Sequence, residues 1–192
     1  NIVTSDGLIP PEELRKKTNN DGFRENSFDF VITNPPFGST IKQTERAYLH
    51  QYNLAVREAD WLNPSSRASD RPSQSTEVLF IEQAEKYLKA GGYLAIIVPD
   101  GILTNSSMQY VRDYISDTFR IIAVVSLPQT AFSANGAGVK SSVLFLKKFS
   151  PFEKRQRKDL RDKIQNNLIS NTEKGTCLLK LLKEKKDSIA QI

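Results

Sequence analysis

Apolar positions along this chain fall into short solid runs separated by longer stretches in which they recur at helical spacing. Phe28 to Thr33 is nearly all apolar, as a strand covered on both faces is, and Tyr93 to Val98 repeats the pattern. Ile121 to Leu127 and Ser141 to Lys147 read as two closing strands joined by a loop containing glycine, and Asn1 to Ser5 as the end of a strand. Between them, Thr44 to Leu62 places Tyr48, Leu49, Tyr52, Val56 and Ala59 at helical intervals. Glu77 to Lys89 predicts a helix with Leu79, Phe80, Ala84, Tyr87 and Leu88 on its apolar side, stopped by Gly91-Gly92. Asn105 or Ser106 caps a third helix that packs through Met108, Val111, Ile115 and Phe119. Residues 63–75 form a Pro/Ser/Arg loop.

This alternation predicts a doubly wound α/β sheet, in which ligands sit beyond the carboxyl ends of the strands. The pattern changes near residue 150, so the chain divides into a domain of residues 1–150 and a helical extension of residues 151–192. In the extension Leu160, Ile164 and Leu168 repeat every four residues, and Leu178, Leu179, Leu181 and Leu182 follow Gly175. Two helices are predicted, whose apolar stripes either cap the domain or face a partner.

Composition narrows the class. Of 192 residues 39% are hydrophobic and 26% charged, enough for one domain with a real core. The longest apolar run, Tyr93 to Pro99, is far too short to span a bilayer, so no membrane partner is expected. Lone Cys177 and lone His50 offer neither a disulfide nor a metal-ligand cluster, and a reducing cytoplasm fits. The net charge of +5 is uneven, because residues 147–163 hold eight basic side chains against Glu153, Asp159 and Asp162. That stretch is either a phosphate-contacting surface or a solvated helix face.

The chemistry concentrates in Asn34-Pro35-Pro36-Phe37, directly after a strand end. Two prolines fix φ, remove two backbone donors and hold the preceding residues extended, which makes the turn a rigid acceptor. An aromatic amine is a poor nucleophile because its lone pair is delocalised, so a catalyst must accept both amine hydrogens. The Asn34 side-chain oxygen and the Pro35 carbonyl can do so together, with Phe37 stacked on the ring.

These residues and their order resemble the N-6 adenine DNA methyltransferases, specifically the modification subunit of type I restriction–modification systems. The resemblance runs from Asn1 to about Lys148. It rests on the Asn1 to Leu8 segment, Asn34 to Gly38, Tyr52 to Ala55, Thr76 to Glu82 with Leu88 to Leu103, and Ser126 to Phe132 with Gly138 to Leu146. It implies a Rossmann-like S-adenosylmethionine-dependent methyltransferase sheet ending in an antiparallel hairpin. The catalytic residues would be Asn34, Pro35, Pro36 and Phe37. Asp6 and Asn34 would touch S-adenosylmethionine, and Phe37, Phe132, Lys140, Arg67 and Arg71 the target base or DNA, with no metal.

By this resemblance an adenine flipped out of double-stranded DNA is held in the turn while its nitrogen attacks the sulfonium methyl in line. A DNA specificity subunit and a restriction subunit would be partners. The family places a strand, a Gly-rich loop and a second strand before the Asp6 segment, and none is found here. A chain opening on Asn1 is thus expected to be a truncated, inactive later part of the catalytic domain. Its sheet would begin at an unpaired Phe28 to Thr33 edge, paired in a homodimer or covered by the N-terminal segment. Methylation of RNA or of a protein glutamine, and a non-catalytic assembly or DNA-binding module, are the alternatives.

Overall fold

The computed structural model describes residues 2–42, 47–57, 68–132, 138–171, 175–177 and 180–181. They belong to two compact units, Asn1–Phe149 and Ser150–Ile192.

In the first unit the sheet has four strands, β1 (Phe28–Thr33), β6 (Leu88–Pro99), β7 (Phe119–Ser126) and β8 (Ser141–Lys148), in the order β1-β6-β8-β7. β1 runs parallel to β6, whereas β8 is antiparallel to both β6 and β7, so the sheet closes with the predicted hairpin. Helices α1 (Pro11–Thr18), α2 (Thr76–Tyr87), α3 (Asp100–Thr104) and α4 (Gln109–Thr118) complete the layer beside it. Two small antiparallel pairs lie outside the sheet: β2 (Thr40–Lys42) with β5 (Ser73–Ser75), and β3 (Val56–Arg57) with β4 (Ser69–Asp70).

Helix α2 is the centre of the packing. Val78, Ile81 and Ala84 meet Leu94, Ile96 and Val98 of β6, while Leu79 joins Leu8, Leu49, Tyr52 and Ala55 on the opposite side. A helix clasped on two sides has little polar face left, and Glu82 and Gln83 are consequently buried. Both are fully hydrogen bonded, as buried polar groups must be.

Several expectations are corrected. Residues 2–5 form no strand; the sheet ends at β1 and gives them no ladder to join. Nor do residues 2–27 pair with β1, so its outer edge is open in the single chain. Where one long helix was expected, residues 47–57 make two 3₁₀ turns, Ala47–Gln51 and Asn53–Ala55, before β3. The break is at Tyr52, which is extended, and the Glu82 carboxylate caps the second turn through the Asn53 and Leu54 amides. The rest of that expected helix lies outside the described residues. Residues 69–75 are not loop but carry β4 and β5.

Gly91-Gly92 lies inside β6 rather than ending α2. Gly92 stands where a Cβ would meet the Asp29 and Lys89 carbonyls at 3.1 and 3.0 Å, beside a register shift between Phe28 and Phe30. The third expected helix is a 3₁₀ turn at Ser106–Met108 followed by α4, with the short α3 before it not foreseen, and Phe119 begins β7. Neither Asn105 nor Ser106 caps it with a side chain: Asn105 precedes the turn without such a bond and Ser106 is its first residue.

The second unit contains α5 (Pro151–Asn171), on which Leu160 and Ile164 are exposed, and short helical pieces at residues 175–177 and 180–181. Leu168, Leu178, Leu179 and Leu182 have no described side chains. Lys148, counted within the basic stretch, is buried in the first unit. Its ammonium donates to the Asn26 side chain and to the Glu85 and Leu88 carbonyls and pairs with the Glu85 carboxylate at 3.0 Å, so it is not available to phosphate.

Candidate active site

The β1 strand delivers Asn34 to the carboxyl end of the sheet. Asn34 is exposed, Pro35 buried and Phe37 half-buried. Gly38 has φ 75°, a left-handed conformation that lets the chain double back after Phe37. The returning segment is clamped by Thr76, the first residue of α2. Its hydroxyl donates to the Pro36 carbonyl at 2.9 Å and its backbone N–H to the Ser39 carbonyl at 3.0 Å.

Among the described residues, neither the Asn34 side chain nor the Pro35 carbonyl makes a hydrogen bond. The turn therefore holds its third acceptor, Pro36, by Thr76 and leaves the first two without a hydrogen-bond partner among the described residues. Two unpartnered acceptors on a proline-stiffened backbone are the groups suited to receive the hydrogens of a planar amine. Thr76→Val is expected to lower stability by about 1–2 kcal/mol and to speed amide exchange at Gly38 and Ser39. Unchanged exchange there would show that Thr76 does not hold the turn.

Phe37 and Phe132 meet with ring centroids 6.0 Å apart at 84°. The rings are brought together from positions 95 residues apart, but edge to face, so they close on each other instead of flanking a gap. Lys140 anchors the loop that carries Phe132, its ammonium donating to the Ser126 hydroxyl and the Leu127 carbonyl. Gln129 spans the same loop to the Gly138 carbonyl at 3.0 Å.

The other expected residues lie elsewhere. The Arg71 guanidinium covers the Tyr110 ring at 3.8 Å and lines a cleft of about 290 Å³ with Asp113 and Asp117, to which no residue of the Asn34 turn contributes. Arg67 falls outside the described residues. Asp6 accepts the Leu8 N–H at 3.0 Å, forming a local turn. Near that cleft, burial, reinforced by the Glu82 and Glu85 carboxylates, pushes the Tyr114 phenol well above its ordinary value, against a hydrogen bond from Thr118 that lowers it.

A match to the N-6 DNA methylase family extends over residues 10–165. The chain belongs to the N-6 DNA methylase family. Among its relatives, the type I restriction enzyme MpnII methylase subunit of Mycoplasma pneumoniae is 29% identical over 149 residues, 77% of this chain and 25% of that protein. The type I restriction enzyme EcoKI methylase subunit of Escherichia coli K12 is 26% identical over 136 residues, 70% of this chain and 21% of that one. This N-6 DNA methylase chain thus spans about a quarter of the length of these relatives. A modification subunit of a type I restriction enzyme from Vibrio vulnificus YJ016 shares the fold, with a TM-score of 0.51 at 20% identity over 77% of this chain and 27% of that one.

Tyr52, Thr76 and Glu82 fall within the stretches that carry the family resemblance, but nothing local in the sequence assigns them, or Gln83, a part in holding the segments around Asp6 and Asn34. The Tyr52 hydroxyl lies 2.6 Å from both the Leu8 carbonyl and Gln83 Oε1, and Gln83 Nε2 donates to the Ile9 carbonyl at 2.8 Å. These contacts tie the Asp6 segment to α2, which also holds the Asn34 turn through Thr76. Their signal in the sequence was two polar residues, Glu82 and Gln83, within an apolar helix.

Gly7 abuts the Phe80 ring, Gly138 lies between β7 and β8, and no Gly-rich loop links a parallel strand to a helix among the described residues. Among the described residues no cluster of three His, Cys, Asp or Glu could hold a metal, and no helix is long and apolar enough to cross a membrane.

Proposed function

We propose that this chain is the target-base half of a DNA methyltransferase that modifies the exocyclic amine of adenine, as part of the modification subunit of a type I restriction–modification system. The observation that carries this reading is the pair of unpartnered acceptors, Asn34 Oδ1 and the Pro35 carbonyl, at the end of a parallel strand beside Phe37. Accepting both hydrogens localises the nitrogen lone pair and directs it away from the ring. Phe37 stacks on the extruded base, a contact worth about 1–3 kcal/mol, and swings away from Phe132 to admit it.

S-adenosylmethionine supplies the methyl group when bound, and Asp6 and Asn34 are the residues of this chain that would touch it. Everything derived for the present residues concerns the amine: Thr76 fixes the turn, the prolines remove competing donors, and Asn34 with Pro35 receives the hydrogens. Recognition of the DNA sequence belongs to a separate specificity subunit, and the restriction subunit joins the same assembly.

Positioning dominates such chemistry, and a small displacement of one reactant is costly. The chain alone, incubated with S-adenosylmethionine and duplex DNA, is expected to transfer no more methyl than an Asn34→Ala variant. A clear excess over that control would show that these residues suffice to hold the methyl donor. Fused behind a cofactor-binding segment, the chain is expected to place methyl on adenine in DNA. Methyl found on RNA or on protein glutamine would contradict the reading.

A further inference from the structure

The ends of β1, β6 and β7 and the start of β8 share the edge of the sheet from which the Asn34 turn departs. There Ser141 lies beside Pro99, and Ser142 between Val98 and Ser126. The loop that carries Phe132 leaves β7 at Leu127 and returns at Lys140. The Lys140 ammonium reaches the Ser126 hydroxyl and the Leu127 carbonyl, the Leu127 N–H donates to the Ser141 carbonyl at 3.0 Å, and Gln129 spans to Gly138. These bonds close the loop on itself.

A different contact ties its returning end to β6. Pro99 brings no N–H to this end of the ladder, and the next donor along, the Asp100 amide, reaches the Lys140 carbonyl at 2.9 Å. The Asp100 carboxylate accepts the hydroxyl of Ser142, which is 3% exposed, at 2.7 Å. Hydrogen bonds to a carboxylate are of the stronger kind. Asp100 is itself held, because it opens α3, whose Ile102 belongs to the core, and its carbonyl accepts the Thr104 hydroxyl at 2.9 Å. One residue on a fixed element thus grips the returning end of the loop twice.

We propose that Asp100 is a positioning residue for the base site: by holding Lys140 and Ser142 it sets where the loop places Phe132 against Phe37, and hence the slot that a planar base enters. The proposal rests on the reading of these two rings as walls of that site. The carboxylate acts through the loop, not on the base.

Fluorine NMR of the full chain labelled with para-fluorophenylalanine tests the placement without any methyl transfer. The Phe37 and Phe132 signals are identified by their loss in Phe37→Leu and Phe132→Leu, and that of Phe119, buried at the start of β7, serves as reference. Asp100→Ala is expected to move the Phe37 and Phe132 signals and leave Phe119 in place. Ser142→Ala removes the same bond from its other end and is expected to move them alike, which decides the matter even where Asp100→Ala does not fold. Asp100→Asn keeps an oxygen for the Ser142 hydroxyl and is expected to hold both signals at their wild-type positions. Signals unmoved by Ser142→Ala, an Asp100→Asn variant that behaves as Asp100→Ala, or a Phe119 shift equal to theirs would overturn the proposal.

In the chain fused behind a cofactor-binding segment, Asp100→Ala is expected to slow single-turnover methyl transfer about tenfold, and Asp100→Asn to restore it. Rings that move in a fusion that transfers no methyl would count against the methyltransferase reading and not the placement. Wild-type transfer with rings indifferent to Asp100 would remove the placement and leave that reading intact.

Discussion

Glu82→Ala is expected to lower the stability of the Asn1–Phe149 unit by about 3–5 kcal/mol. The carboxylate is 1% exposed and accepts the Asn53 and Leu54 amides, each at 2.9 Å, and the Asn53 side-chain amide at 3.1 Å. Truncation removes the only acceptor seen for these donors and leaves a void beside Leu54 and Val78 in the core. Lys86, 3.8 Å from the carboxylate and 3.9 Å from the Tyr52 ring centre, would lose its counter-charge but can still reach the Gln51 carbonyl. Urea denaturation followed by circular dichroism measures the loss, with Glu82→Gln expected to recover roughly half of it through its remaining carbonyl oxygen. A loss below about 1 kcal/mol would mean that the 52–55 turn is held by something else.

The consequence reaches the site because Glu82 and Gln83 act in one network. If the Asn53 turn moves, Tyr52 moves, and with it the clasp on Leu8 that fixes the Asp6 turn. Damage to the Asn34 turn should be smaller, since Thr76 at the start of α2 holds it by separate bonds.

The four strands of the sheet were legible because each holds an apolar run, whereas the short pairs β2 with β5 and β3 with β4 are too brief and polar to show one. The hairpin of β7 with β8 was expected from the family resemblance and from two successive apolar runs joined by a loop containing glycine, and the end of β1 followed from prolines that cannot continue a ladder. The helix expected over residues 44–62 failed for a tertiary reason: apolar spacing at Leu49, Tyr52 and Val56 satisfies a helix, but the Glu82 carboxylate, nearly thirty residues away, rewards a broken one. Gly91-Gly92 resembles a helix stop in one dimension. In three it is where β1 and β6 come too close for a side chain.

For the site, Asn34 to Phe37 was readable because proline pairs restrict the backbone whatever surrounds them. The contact between Phe37 and Phe132 was suggested only by family resemblance, since nothing local links the two positions. Lys140 shows the opposite limit. A loop lysine near a DNA-binding motif suggests phosphate, yet here its ammonium staples the loop ends together. Arg71 likewise spends its guanidinium on Tyr110.

The second large effect belongs to Asn34. In a fusion that supplies the cofactor-binding segment, Asn34→Ala removes one of the two acceptors for the amine hydrogens without altering the backbone that Thr76 clamps. Loss of a preorganised electrostatic partner in a water-excluded site costs about 10²–10³ in rate, and loosened placement of the base adds to it. An overall fall of roughly 10³-fold or more in methyl transfer is expected, with folding unchanged because the side chain is exposed and makes no hydrogen bond among the described residues.

The most direct test of the central claim is single-turnover transfer of labelled methyl from S-adenosylmethionine to duplex DNA by that fusion, comparing Asn34 with Asn34→Ala. The account predicts label on the N-6 nitrogen of adenine and its near-complete loss in the variant. Equal transfer by both proteins would contradict it.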